Sequence, residues 1–349
     1  TIVILKKKAE NFRDIYSKSP DSISCLQNSF ELHLLIIEFM DQIRQGLVDE
    51  KSKLYLMDNN RDLYSDAVTT AIEMLYTTKD SIYKAHAFEI AERGKARTLL
   101  DLITENEARL SLRIPDSLLA YEDSLKRNIA IMQKIDYENA KTQSSKNDSL
   151  QHLIFESKRK LELFAEMLAL NYPEYSALKC GKSGFSLTDL QNKLKEDELF
   201  LQYHITDTIL YTFLITQTGN SILQVALQPD FSENLAFMQS FLTSGKGLDF
   251  ATNNEKFIYA ARRLYEYLVY PAEQFVSKSK YIIVPDGPLF YVPFEILISD
   301  VLQPAAAGYE TLPYLIKGHP ISYSYSASMY INAMNTPNDR HSSDLLAFA

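Results

Sequence analysis

Apolar residues recur at helical spacing from the start of the chain to about Tyr175, after which the period drops to two. In the first stretch, Phe88, Ala91, Leu99 and Leu102 fall on one face of a helix over Ala85–Ile103, and Glu89 and Arg93 form an i,i+4 pair in the favoured orientation. The same helix carries four small residues, Ala87, Ala91, Gly94 and Ala96. A glycine inside a helix costs about 1 kcal/mol against alanine, so close packing against a neighbour is its expected compensation, and the helix is expected near a domain interface. Glu92, Lys95 and Arg97 permit two readings, a solvated face or a polar contact to the downstream domain.

Between Ser117 and Asn171 two helices with heptad-like spacing are predicted to form an antiparallel hairpin. Leu118, Tyr121, Leu125, Ile129, Met132 and Ile135 make one stripe; Leu150, Leu153, Ser157, Leu161, Phe164 and Leu168 make the other. The polar connector Ala140–Ser149 is expected to be an exposed, mobile tip. A linker over Lys179–Ser186 ends the helical part, and Ser186 with Asp189 can cap the helix that follows. Strands are predicted over Glu198–Ile205, Thr208–Thr216 and Ser221–Leu227, and their short turns imply an antiparallel meander. Helices over Ser232–Thr243 and Asn253–Phe275 come next, then strands near Tyr281, Ile321–Tyr325 and Leu345–Ala349. Helices on a mixed sheet make this half α/β.

The segment Tyr281–Leu297, YIIVPDGPLFYVPFEIL, begins as a strand covered on both faces, because Tyr281, Ile282, Ile283 and Val284 show no polar alternation. Pro285 removes a ladder donor and Gly287 permits a turn, so an anchored loop follows.

A chain of 349 residues suggests two domains. Its hydrophobic content of 46% and charged content of 23% are those of a globular protein. The net charge of −9, without a long basic run, argues against nucleic acid as a primary ligand. Apolar runs such as Leu34–Ile37 fall far short of the ~20 residues a membrane span needs. No signal peptide is visible and the first residue is Thr1, so an excised fragment or processed product is expected. Cys25 and Cys180 are far apart in sequence, which fits a reduced cytoplasmic protein.

Four segments, in order, carry a family resemblance: AHAFEIAERGKARTLLDLI (Ala85–Ile103), YPEYSALK (Tyr172–Lys179), the Tyr281–Leu297 segment, and KGHPISYSYSAS (Lys317–Ser328). Together they resemble the TPR-CHAT family, caspase- and separase-like cysteine peptidases preceded by tetratricopeptide helices. Tyr325 stands where that family commonly has a small residue or proline. The resemblance implies an all-α, TPR-like array over residues 1–178, its hairpin at about 117–171, followed over 186–349 by the leading half of a caspase-like α/β CHAT domain. No clean 34-residue repeat is visible, so the helices read as degenerate repeats at the end of a longer array.

In the family, the catalytic cysteine and histidine stand in Ala-Cys and His-Gly contexts beyond the strand that Leu345–Ala349 resembles. The chain is therefore expected to carry no catalytic residue, and to be a regulatory, partner-binding fragment of a bacterial-type cysteine endopeptidase. The alternative is a non-enzymatic scaffold with a degenerate, pseudo-peptidase CHAT domain. Either binds a protein or peptide through its helices, and no cofactor or metal is expected. None of His33, His86, His152, His204, His319 and His341 has the His-Gly context or the spacing of a helical zinc site. Cys180 has Lys179 and Lys182 beside it to favour a thiolate, but a linker supplies no oriented base. Gly181–Ser183 (GKS) matches the end of a P-loop, yet Ser176 occupies the required glycine position.

Overall fold

A computed structural model of the protein describes residues 2–47, 50–95, 114–141, 148–172, 186–243, 250–299 and 311–335. The chain divides into two compact units, one of Thr1–Thr70 with Ala96–Gly184, the other of Ala71–Lys95 with Phe185–Ala349. The second unit thus takes in a helical segment that precedes the linker by some ninety residues, for a reason given below. Among the described residues no helix is long and apolar enough to cross a membrane.

The first unit is all-helical. Helices α1 (Ile2–Lys18) and α2 (Ile23–Gly46) pack together, and the buried Ser29 hydroxyl donates to the Ala9 carbonyl at 2.8 Å. Ile36, Met40 and Leu63 form a small core with Ile2, Leu5 and Leu56, which brings in α3 (Glu50–Asp58) and the start of α4 (Arg61–Thr78). The hairpin is present as α6 (Asp116–Lys141) and α7 (Asp148–Asn171), while α5 (Ile82–Arg93) belongs to the second unit. Tyr121 meets Phe164 edge-on at 4.9 Å, while Ile114 near one helix start clusters with Leu168 near the other's end, so the pair runs antiparallel. Its stripes are only partly buried. Leu125, Ile129 and Leu168 are enclosed, but Tyr121, Ile135 and Leu153 are exposed, because two helices alone offer each stripe a single neighbour. Most of the expected connector lies outside the described residues.

The second unit is mixed α/β. Strands β1 (Glu198–Ile205), β2 (Ile209–Thr216), β3 (Gly219–Ala226), β4 (Lys280–Val284) and β5 (Ile321–Tyr323) form one sheet in the order β3-β2-β1-β4-β5. The β1-β2-β3 meander is antiparallel, as its turns predict, and β1-β4-β5 is parallel. Before it, α8 (Leu187–Lys193) starts at a full capping box: Ser186 Oγ accepts from Asp189 N–H, and Asp189 accepts from Ser186 N–H at 2.7 Å. Helices α9 (Pro229–Thr243) and α10 (Phe250–Leu268) cover the face that carries Leu199, Leu201, Tyr203 and Ile283. The opposite face packs on α5, where Phe88 meets Phe213 at 5.7 Å, and on α11 (Ala327–Asn335), where Tyr330 meets Phe200 at 5.7 Å. Burial on both faces explains why Tyr281–Val284 of β4 lack polar alternation, and β1 is buried over Glu198–His204 although it carries Gln202 and His204. The strand reading of Leu345–Ala349 falls outside the described residues.

In the helical unit, burial, aided by the positive charges of Arg13 and Lys6, pushes the His33 imidazole down to about 4. The native state then binds its proton less tightly than the unfolded chain, so stability drops as pH falls from about 6.5 toward 4. We expect wild type to lose up to about 3 kcal/mol across that interval relative to His33→Leu. Urea denaturation of both proteins at several pH values measures the difference; a constant gap would show that His33 is not held neutral.

Candidate functional site

Three of the four resembling segments meet at the carboxyl ends of the parallel strands. Helix α5 ends at Arg93 with Gly94 at its C-cap, so Gly94 terminates the helix rather than lying within it, and the chain passes directly to Lys95. Lys95 Nζ donates to the carbonyls of Tyr203 near the end of β1, at 2.5 Å, and of Pro285 just after β4, at 3.1 Å. One turn earlier, Glu92 accepts from the backbone N–H of Ala327 at 2.9 Å and of Ser328 at 3.5 Å. Those are orphan donors of the first turn of α11, and Ser326 Oγ takes a third, from Met329 N–H, at 3.1 Å. A carboxylate from a distant helix thus does part of the capping, in the position where the helix dipole favours negative charge. Glu92 and Lys95 are 5% and 8% exposed, which excludes the solvated-face reading for both. Arg97, Ala96, Leu99 and Leu102 lie outside the described residues. Ala87 and Ala91 are fully buried, as the small-residue pattern predicts.

Between these anchors the sheet surface is polar. His204 Nδ1 is 3.6 Å from Asp286 Oδ2, and the same oxygen accepts from Ile205 N–H at 2.9 Å. Gln202, on the same face of β1, is fully buried, and among the described residues its amide has no hydrogen-bond partner. The turn that brings Asp286 here depends on Gly287, whose φ of 53° is left-handed. Residues 287–291 and 294–296 then form two 3-10 turns whose Leu289, Phe294 and Leu297 plug the core, with Tyr203 and Phe294 rings 5.5 Å apart. Beyond the turn, at the ends of β4 and β5, lies an open pocket of about 460 Å³ lined by Phe290, Tyr291, Glu295, Tyr323 and Tyr325 among others.

The arrangement has an imidazole near a carboxylate but no thiol, since residues 71–95 and 185–349 contain no cysteine. Cys25 is a free thiol of the helical unit; Cys180, Lys179, Lys182, the GKS of Gly181–Ser183 and His341 fall outside the described residues. His319 stacks on Tyr281 at 4.4 Å with Nε2 3.8 Å from Glu273, a carboxylate that also accepts from the hydroxyls of Tyr281 and Tyr265. That cluster lies at the opposite, amino-terminal end of β4 and holds structure together. His86 is near Glu89, at 3.8 Å. Among the described residues no group of His, Cys, Asp and Glu could hold a metal ion. Sequence reasoning gave no role to His204 with Asp286, nor to Glu295; only the position of Asp286 in a strand-ending turn pointed toward the strand ends. No protein-family model matches the chain, and no curated protein matches it. What the fold itself defines is a helical unit joined to a mixed α/β unit with a five-stranded sheet.

Burial pushes the Glu92 carboxyl up from its ordinary value of 4.5, while the Ala327 N–H, Lys95 and Ser326 hold it down. Glu92→Ala strands two helix donors and removes a carboxylate that acts on the buried Lys95, so a loss of about 2–4 kcal/mol is expected; Glu92→Gln keeps an acceptor and should lose clearly less. Because the native carboxyl binds its proton more tightly than the unfolded one, wild type gains on Glu92→Gln as pH falls through the raised native value, and the gain ends below 4.5. Denaturation midpoints of the three proteins across pH provide the check. At the turn, Gly287→Val should destabilise the α/β unit by about 1–3 kcal/mol, since a β-branched residue at positive φ is strained; an unchanged midpoint would remove the argument for a strained turn.

Proposed function

We propose that this chain is the regulatory, partner-binding part of a TPR-CHAT protein whose full-length form is a caspase-like cysteine endopeptidase. Its Cys-His dyad would lie downstream of Ala349. The observation that supports this most is the convergence of the resembling segments: Glu92 and Lys95 of the first reach Ala327 of the last and Pro285 of the PDGP turn. Such a helix responds to whatever its neighbouring helices bind and acts directly on the strand ends, where a caspase-like site is built. The N-terminal helices would receive a protein or peptide signal and pass it on through α5. The free thiol of Cys25 fits a reduced, cytoplasmic setting.

The chain as it stands should hydrolyse no peptide above background, because a thiolate with an oriented base is missing from its α/β unit. Extending it through the following residues of its gene should bring His-Gly and Ala-Cys at strand ends, and with them cleavage of a peptide library that the Cys→Ala variant abolishes. Activity of the present chain that survives Cys25→Ala with Cys180→Ala would overturn the location of the chemistry. An extension lacking those two residues would leave the non-enzymatic scaffold with a degenerate CHAT half.

A further inference from the structure

The pocket beyond the signature turn has a composition that selects a ligand. Four aromatic rings line it, Phe290 and Tyr291 from the 3-10 turn, and Tyr323 and Tyr325 from the end of β5 and the residues after it. Phe290 and Tyr325 stack on each other with centroids 6.0 Å apart and planes 26° from parallel. All four stay well exposed, from 45% for Tyr323 to 70% for Tyr291, so a concave aromatic surface is left in contact with water. Glu295 is the charged group in the lining. The Tyr323 hydroxyl donates to its Oε2 at 2.6 Å, and Phe294 N–H donates to that hydroxyl at 2.9 Å, so backbone and tyrosine together fix the carboxylate. Oε1 is left open, and among the described residues no basic side chain pairs with Glu295.

Among the described residues the lining holds no cation to receive an anion, and a purely apolar ligand would bury the carboxylate without a countercharge, which is unfavourable. A cation satisfies both features at once: aromatic faces attract positive charge, and the oriented carboxylate completes the pair. A planar guanidinium suits the site better than an ammonium, since it stacks on rings, is weakly hydrated and offers several donors in a fork. We propose that this pocket binds the arginine side chain of a partner peptide, with the guanidinium among the rings and paired to Glu295. Tyr325, the residue at which this sequence departs from the family pattern, supplies one wall, so the site belongs to this chain's own sequence. The assignment does not depend on whether the parent protein is a peptidase.

Ligand-observed NMR titration of the full chain with N-acetyl-arginine-N-methylamide, and with its neutral citrulline counterpart, tests this. Saturable binding of the arginine probe with a Kd on the order of 1 mM is expected for one side chain of this size. Citrulline should bind at least about tenfold more weakly, and Glu295→Gln should weaken the arginine probe by about tenfold, the usual effect of losing one charge-assisted bond. Tyr325→Ser, at a position 54% exposed, should weaken it several-fold and keeps the test valid if Glu295→Gln disturbs the turn. Equal binding of the two probes, undiminished binding in both variants, or no saturable binding to about 10 mM would each overturn the proposal.

Discussion

Two charges buried at one end of a helix hold the α/β unit together. Removing an ionised carboxylate and an ammonium from water is expensive, and the structure tolerates it only because each finds several partners of the right kind. Glu92 faces the N–H groups of α11, where donors are otherwise orphaned and the dipole is positive; Lys95 faces two carbonyls at strand ends, whose ladder partners have run out. Each charge therefore completes a segment that could not complete itself. For this reason Ala71–Lys95 groups with Phe185–Ala349 rather than with the helices on either side of it in sequence.

The two faces of the sheet are built on different principles. Toward α9 and α10 the packing is apolar, with Leu289, Phe294 and Leu297 of the segment after β4 closing the end. Toward α5 the strands present Gln202 and His204 among Phe200 and Phe213, and the polar residues sit at the end of β1 nearest Lys95. A core made for stability alone would not place an amide without a partner there, since an apolar residue of similar volume would fit at lower free energy. Burying polar groups in this region fixes which helix face docks and in what register.

How much of this could be read from the sequence varied with how local its causes are. The edges of β1 coincide with the expected Glu198–Ile205, and the Ser186–Asp189 capping box follows from two residues three apart, because pattern, turn and cap are set within a few positions. The hairpin was legible as two antiparallel helices, whereas its buried positions were not: heptad spacing marks Tyr121, Ile135 and Leu153, but a face is buried only where a neighbour covers it. Glu92 and Lys95 were least legible of all. On a helical wheel they look like surface charges, and the atoms that bury them lie 108, 190 and 235 residues away. A polar contact to the downstream domain was one of two readings open for them, and periodicity could not name the distant atoms that make it.

Lys95 and Asp286 also bear on where a ligand can enter. In open sheets with parallel strands, crevices form outside the carboxyl ends, where neighbouring connections part. At β1 and β4 that crevice is already filled, since Lys95 occupies the carbonyls of Tyr203 and Pro285 and Asp286 turns back onto Ile205. At β4 and β5 the turn after Gly287 lines the opening with Phe290 and Tyr291. A left-handed glycine, a clamped lysine and an open aromatic pocket are therefore linked: the glycine turns the chain so that Asp286 closes one crevice while the residues after it wall the next.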